Sequence, residues 1–364
     1  MFTFACALLL LLSFPLVHAQ EPSADQLFTN AVHEQQSGDT AAAIRDYREL
    51  LRLHPDMVEA QVNLGAVLVD SGQYDEAIAL YKAALPSVSN KKAVLMNIAR
   101  AYYEKRDLTR AREQLVQVHQ MYPEDQDVTM RLASVELQAH AAADAVALLQ
   151  PLDSANAQNT DFQYLYGWAL IANGRPDEGT PRVERVANTT NRADAYLLAG
   201  STYLQYGHPY EARDDLETAL KLDPHLPNIY NLVGEARETT EDDRGAEAAF
   251  REALKLSPDD FEANLHLGTI LYKRRELQEA KVCLDHALKL RPEDPNARYQ
   301  SAMLKSASGE YDAAVRELEE ISRKAPDWLE PHIELAKLYY QLHRPQDGLR
   351  ERELAKKLAA QQQK

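Results

Sequence analysis

Fifty-six carboxylates, eleven histidines and two cysteines give this chain raw material for acid–base, nucleophilic or metal chemistry. The spacing withholds it. No HExxH occurs and the histidines are scattered with no cluster of cysteines, so no zinc site is expected. The paired carboxylates Asp242-Asp243 and Asp259-Asp260 fall in turns, where capping a helix is their ordinary use. No serine or cysteine can be matched with an oriented base. The thirteen glycines recur at fixed intervals and form no phosphate-cradling loop. The expectation is therefore no catalytic residue, no metal and no cofactor, with an enzyme whose site is concealed by the fold as a remote alternative.

A net charge of −16 opposes binding to a phosphate backbone, so no nucleic acid is expected. The first nineteen residues stand apart. They hold no charged side chain, Leu8–Leu12 is wholly apolar, and Val17-His18-Ala19 precedes Gln20. The run is short of the roughly 20 apolar residues a span requires and reads as a cleaved export signal, with an uncleaved anchor as the alternative. A periplasmic or secreted location follows. Residues 20–23 are a short linker, 363–364 a polar tail, and no later stretch has membrane length. Removing the signal removes Cys6. Cys283 then has no partner for an internal disulfide, so stability must come from packing.

What remains must be organised by its repeats. Val58–Gly65 (VEAQVNLG) resembles Phe261–Gly268 (FEANLHLG), and an alanine follows each glycine twelve residues on, at Ala77 and Ala280. Rows of 34 residues, one of them a residue shorter, give repeats at 24–57, 58–91, 92–125, 126–159, 160–192, 193–226, 227–260, 261–294, 295–328 and 329–362. The eighth column reads Ala31, Gly65, Ala99, Ala133, Gly167, Gly200, Gly234, Gly268, Ala302 and Ala336. The twentieth reads Ala43, Ala77, Ala111, Ala145, Gly179, Ala212, Ala246, Ala280, Ala314 and Gly348. Columns 4, 7, 8 and 11 mark one face of a first helix, and columns 20, 24 and 27 one face of a second. Small residues are needed where two such helices cross. Leucine at Gly65, Gly200 or Gly268 should overpack that crossing, whereas alanine at Gly179 should be tolerated, as in most other rows.

Column 15 carries Gly38, Gly72, Gly174, Gly207 and Gly309, and column 32 carries Pro55, Pro123, Pro224, Pro258, Pro292 and Pro326. These stop the first and second helices. Row four lacks this punctuation and Pro151 should shorten its second helix, so a polar joint is expected over Gln150–Thr160, with first proteolytic cuts near Ser154–Asn159.

This pattern resembles the tetratricopeptide repeat family over residues 24–362. The resemblance implies an all-α, right-handed superhelical solenoid whose inner groove is lined by columns 2, 5, 6, 9, 12 and 13. Carried over, these give Phe28, Val32, Val62, Val69, Met96, Tyr103, Met130 and Leu137, then Tyr164, Trp168, Ile171, Leu197 and Leu204, then Tyr272, Tyr299, Met303, Ile333 and Tyr340. Two readings stay open: anchors for a protein or peptide with an apolar segment, or packing between rows. Column 2 is acidic at Asp25, Glu59, Asp127, Asp161, Asp194, Glu262 and Glu330, which suits the helix dipole and leaves a basic partner as an alternative. The family's cationic clamp for a peptide carboxylate is absent, because Phe28, Val32 and Ala93 occupy its columns. The implied function is a non-catalytic exported scaffold or adaptor in a cell-envelope, secretion or assembly complex. A holdase-like periplasmic chaperone is the alternative. Nothing in the sequence sets an oligomeric state.

Overall fold

The computed structural model describes residues 23–362; the expected export signal lies outside them. Twenty α-helices among the described residues form ten antiparallel hairpins in two compact units. In the unit that ends at Leu152, α1 (Ala24–Ser37) pairs with α2 (Thr40–Leu53), and α3 (Val58–Asp70) with α4 (Tyr74–Ala84). There α5 (Lys91–Glu104) pairs with α6 (Leu108–Met121), and α7 (Gln126–Gln138) with the short α8 (Ala142–Leu149). In the unit that begins at Asp153, the pairs are α9 (Thr160–Ala172) with α10 (Pro176–Thr190), α11 (Ala193–Gln205) with α12 (Pro209–Leu222), and α13 (Ile229–Thr239) with α14 (Asp243–Leu256). It continues with α15 (Phe261–Lys273) and α16 (Leu277–Leu290), α17 (Pro295–Ala307) and α18 (Tyr311–Lys324), and α19 (Leu329–Gln341) and α20 (Pro345–Gln362).

Every residue of columns 8 and 20 is buried. The opposing helix fills the space they leave: a Cβ on Gly65 would stand 2.7 Å from the Tyr81 ring, and one on Gly200 2.7 Å from Leu216. Within each unit, successive first helices touch (α1 with α3 and α3 with α5; α9, α11, α13, α15 and α17 in turn), and no contact of that extent joins successive second helices. First helices therefore line the inner side of each unit's curve.

Row five departs from the alanine pattern in a way that sequence alone misjudges. Gly167 and Gly179 face each other, and a Cβ on Gly179 would lie 2.5 Å from the Gly167 carbonyl oxygen and 2.7 Å from Ile171. Here two backbones pack directly, so the expected tolerance of alanine is corrected. The first-helix stop is also more general than glycine. Column 15 is left-handed in the other five rows as well, at Arg106, His140, Glu241, Arg275 and His343. The hairpin turn imposes that conformation even where the residue resists it.

The joint after α8 is ordered. Short 3-10 turns cover Gln150–Leu152 and Ser154–Asn156. Arg182 donates to both Asp153 carboxylate oxygens at 2.8 Å and to the Gln163 amide oxygen at 2.7 Å. Asn156 is buried, and Gln163 donates to its carbonyl. This bracing gives the expected polar joint a defined structure, and the two units divide at it, between Leu152 and Asp153.

One buried group works against the fold. Asp215 on α12 keeps a carboxylate oxygen shielded and unpaired, and burial beside Glu184 and Asp214 pushes its pKa up to about 7. Tyr203 donates to Glu184 at 2.9 Å, so that neighbour is already engaged. The folded pKa lies above the unfolded value near 3.9. The strain is thus absent below about pH 4 and complete above about pH 7. Full burial would make this about 4 kcal/mol, but the side chain keeps some solvent contact, so about 1–2 kcal/mol is expected. Asp215→Asn should raise denaturant stability by that amount at pH 8 and give no gain at pH 4; equal gains at both would show that charge is not the cause.

Candidate partner-binding faces

On the inner face of the N-terminal unit, Phe28, Val32, Val62, Met96 and Tyr103 are half-buried against the core, and Met130 is also half-buried. Val69 and Leu137 are 4% and 6% exposed, which assigns both to packing between helices and removes Leu137 from the accessible wall. Between α5 and α7 the face opens into a cleft of about 300 Å³. Met96, Tyr103, Leu115 and Val135 form its apolar walls, and Arg100, Arg131 and Glu104 its polar rim. Gln138 donates to the Tyr103 hydroxyl and fixes that ring. Arg131, in column 6 of row four, is legible from the sequence beside Asp127, whereas Arg100, in column 9 of row three, escapes a reading that follows one row at a time. A diagonal comparison between rows would have placed the two together.

On the inner face of the C-terminal unit, Tyr164, Ile171, Leu197 and Leu204 are half-buried against the core of α10–α14. The Arg192 guanidinium lies 4.1 Å over the Tyr164 ring. Arg192 in turn donates to Asp194 at 2.8 Å and to Asp161 at 3.2 Å. Burial, with the Asp194 carboxylate alongside, pushes the Tyr164 phenol up to about 12. Tyr164 thus joins row five to row six. Trp168, one turn further along α9, is half-buried, with no hydrogen bond, ring contact or cation over its indole among the described residues. In the last rows Tyr299 packs on Trp328 with centroids 5.2 Å apart, Tyr272 and Met303 are half-buried, and Ile333 and Tyr340 are exposed.

The acidic column is largely engaged internally. Asp127 accepts from Arg131, Asp161 and Asp194 from Arg192, and Glu262 from Arg291. Carboxylates so held offer a basic partner little. Among the described residues no three His, Cys, Asp or Glu side chains converge as metal ligands, and Cys283 is a buried thiol with a raised pKa. His266 stacks on Phe250 and shares a proton with Glu238 at 2.8 Å, an arrangement that stabilises the imidazolium between α13 and α15. No nucleophile is aligned by it.

Two family models, each described as tetratricopeptide repeat, match this chain: one at residues 28–91 and 197–260, the other at 68–133, 102–169 and 242–306. The chain belongs to the tetratricopeptide repeat family. Its fold is that of a protein–protein interaction scaffold. Cellulose synthase 2 operon protein C of Komagataeibacter xylinus is 28% identical over 91% of this chain and 27% of its own length. Human Protein O-mannosyl-transferase TMTC1 is 23% identical over 73% of this chain and 26% of its own. This chain therefore spans about a quarter of either relative. A tetratricopeptide repeat protein crystal structure from Parabacteroides merdae superposes with a TM-score of 0.56 at 18% identity, covering 67% of this chain and 97% of that one. No helix of the described residues is long and apolar enough to cross a membrane.

Proposed function

We propose that this tetratricopeptide repeat chain is a non-catalytic exported scaffold that holds a protein partner on the inner faces of its stacked hairpins. The observation that carries this reading is Trp168. A half-buried indole on the inner face, with no hydrogen bond, ring contact or cation over it among the described residues, has the character of a binding anchor. The apolar residues flanking it, Ile171, Leu197 and Leu204, fit an apolar partner segment. Export to the periplasm or beyond rests on the uncharged apolar segment at residues 1–19. A place in an envelope or polymer-assembly complex is supported by likeness to a relative named for a cellulose synthase operon.

Affinity capture from cell-envelope extract, run beside the Trp168→Ala variant, tests this. One or a few partners at fixed stoichiometry, lost in the variant, are expected. A broad set of unfolded clients would replace the scaffold with a holdase, and turnover by the purified chain would replace both with an enzyme.

A further inference from the structure

The first and last rows are finished differently. In rows two to ten, columns 3, 7 and 10 of the first helix are buried without exception, as at Val128, Leu132 and Val135 in row four. In row one, which no row precedes among the described residues, the same columns hold Gln26, Asn30 and His33, all polar and exposed. These columns are therefore the ones that meet a preceding row, and row one presents a polar cap. In the C-terminal unit every second helix packs on the next first helix except α20, which has none after it among the described residues. The face that α20 shares with α19 is not polar. Ile333, Ala336, Tyr340, Ala355 and Ala359 line an open trough of about 380 Å³. In row three the columns of Ile333, Ala336 and Tyr340 hold Met96, Ala99 and Tyr103, and there α7 lies against them.

One residue of the trough is out of pattern. Column 24 is apolar and buried in rows one to nine, as at Tyr81, Phe250 and Leu318. In row ten it is Arg352, exposed and with no ion pair or hydrogen bond among the described residues. The two lysines of the trough are already satisfied, Lys337 by Glu334 at 2.6 Å and Lys356 by Glu353 at 2.7 Å. No carboxylate lines the trough, so the charge of Arg352 is left over.

We propose that this trough seats an amphipathic helix of a partner protein, standing where the first helix of a further row would stand. That helix is apolar at i, i+4 and i+7 and carries a carboxylate at i+3 or i+6 that meets Arg352. The apolar spacing is that of columns 3, 7 and 10. The carboxylate positions are those of Arg131 and Ser134 on α7, which border the matching cleft of row three. A helix without the carboxylate would cover Arg352 as an unpaired charge, which is strongly unfavourable. A second copy of this chain fits from neither side. Its α1 would offer Gln26, Asn30 and His33 to an apolar surface, and its own α20 face would set Arg352 against a lining with no carboxylate. The trough lies in row ten and Trp168 in row five, so this contact is additional to the inner-face anchor and does not depend on it.

The test uses the whole chain and a fluorescein-labelled, amidated alanine-rich peptide of about 18 residues, long enough to be helical. It carries leucine at i, i+4 and i+7 and glutamate at i+3 and i+6, and binding is followed by fluorescence anisotropy. Saturable binding is expected. Arg352→Glu should weaken it by about tenfold or more. Exchanging both glutamates of the peptide for lysine should restore binding to that variant and weaken it on the unaltered chain. Arg352 is exposed, so its replacement should scarcely move the melting temperature. Ile333→Asp, also at an exposed position, should weaken binding of the glutamate peptide by a similar factor. Trp168→Ala should leave it unchanged, which keeps failure here distinct from failure of the scaffold reading. Two comparisons on the unaltered chain decide without any variant. Equal binding of the lysine peptide overturns the proposal, as does equal binding of a peptide of the same composition with its leucines spread around the helix. Absence of binding by the glutamate peptide overturns it too. A chain that is dimeric by light scattering and monomeric as Ile333→Asp would give the trough to a second copy instead.

Discussion

Alanine at Gly179 is expected to lower stability by about 2–3 kcal/mol, although alanine is what most repeats carry at that position. The added methyl would meet the Gly167 carbonyl at 2.5 Å and the Ile171 backbone nitrogen at 2.9 Å. Main-chain atoms cannot rotate away, so α9 and α10 would have to separate and their shared core would open. Leucine at Gly200 or Gly268 should be at least as damaging. There the first new carbon already falls 2.7–2.8 Å from Leu216 or Leu284, and three more carbons must follow. A denaturant melt of each variant measures the loss. Stability unchanged in Gly179→Ala would show that row five is no closer than its neighbours. Stability unchanged in the leucine variants would remove the helix crossing from those columns.

The contrast shows what a repeat frame makes legible. Columns 8 and 20 predict burial because each hairpin repeats the same crossing, and all twenty residues are buried. The frame does not reveal that Gly167 and Gly179 are small on both sides of one crossing, since each is ordinary within its own column. Left-handed turns at Arg106 or Glu241 are invisible for a related reason: backbone demand there outweighs residue preference. Contacts between rows were the least readable. Arg48 with Glu76, Asp70 with Arg100, Asp161 with Arg192 and Glu262 with Arg291 are opposite charges 28–31 residues apart, slightly less than one repeat. A search at that separation would have found the arginine that covers Tyr164 and one of the two beside the α5–α7 cleft. It would not have shown which donors stay free, because that depends on side-chain direction.

The pairing of Tyr164 with Trp168 carries the second large expectation, and the structure divides their roles. Both project from one face of α9, one turn apart. Tyr164 lies under Arg192 and among the residues packed on the α10–α14 core, so Tyr164→Ala should lower stability by about 2 kcal/mol. Part of that loss should appear as weaker coupling between rows five and six. Trp168 is half-buried but has no cation or ring stacked on it among the described residues, so Trp168→Ala should cost less stability than Tyr164→Ala while weakening partner capture by about 2 kcal/mol, roughly thirtyfold in Kd. The double variant should weaken capture about as far as Trp168→Ala alone and show a stability deficit set mainly by the tyrosine change, because the two residues act mainly on different quantities. A large drop in melting temperature for Trp168→Ala, with affinity falling only in proportion to unfolding, would return the indole to the core. It would also remove the observation on which the scaffold reading depends. Measuring melting and affinity on the same three preparations separates these outcomes, since a residue that only packs cannot weaken binding in a chain that remains fully folded.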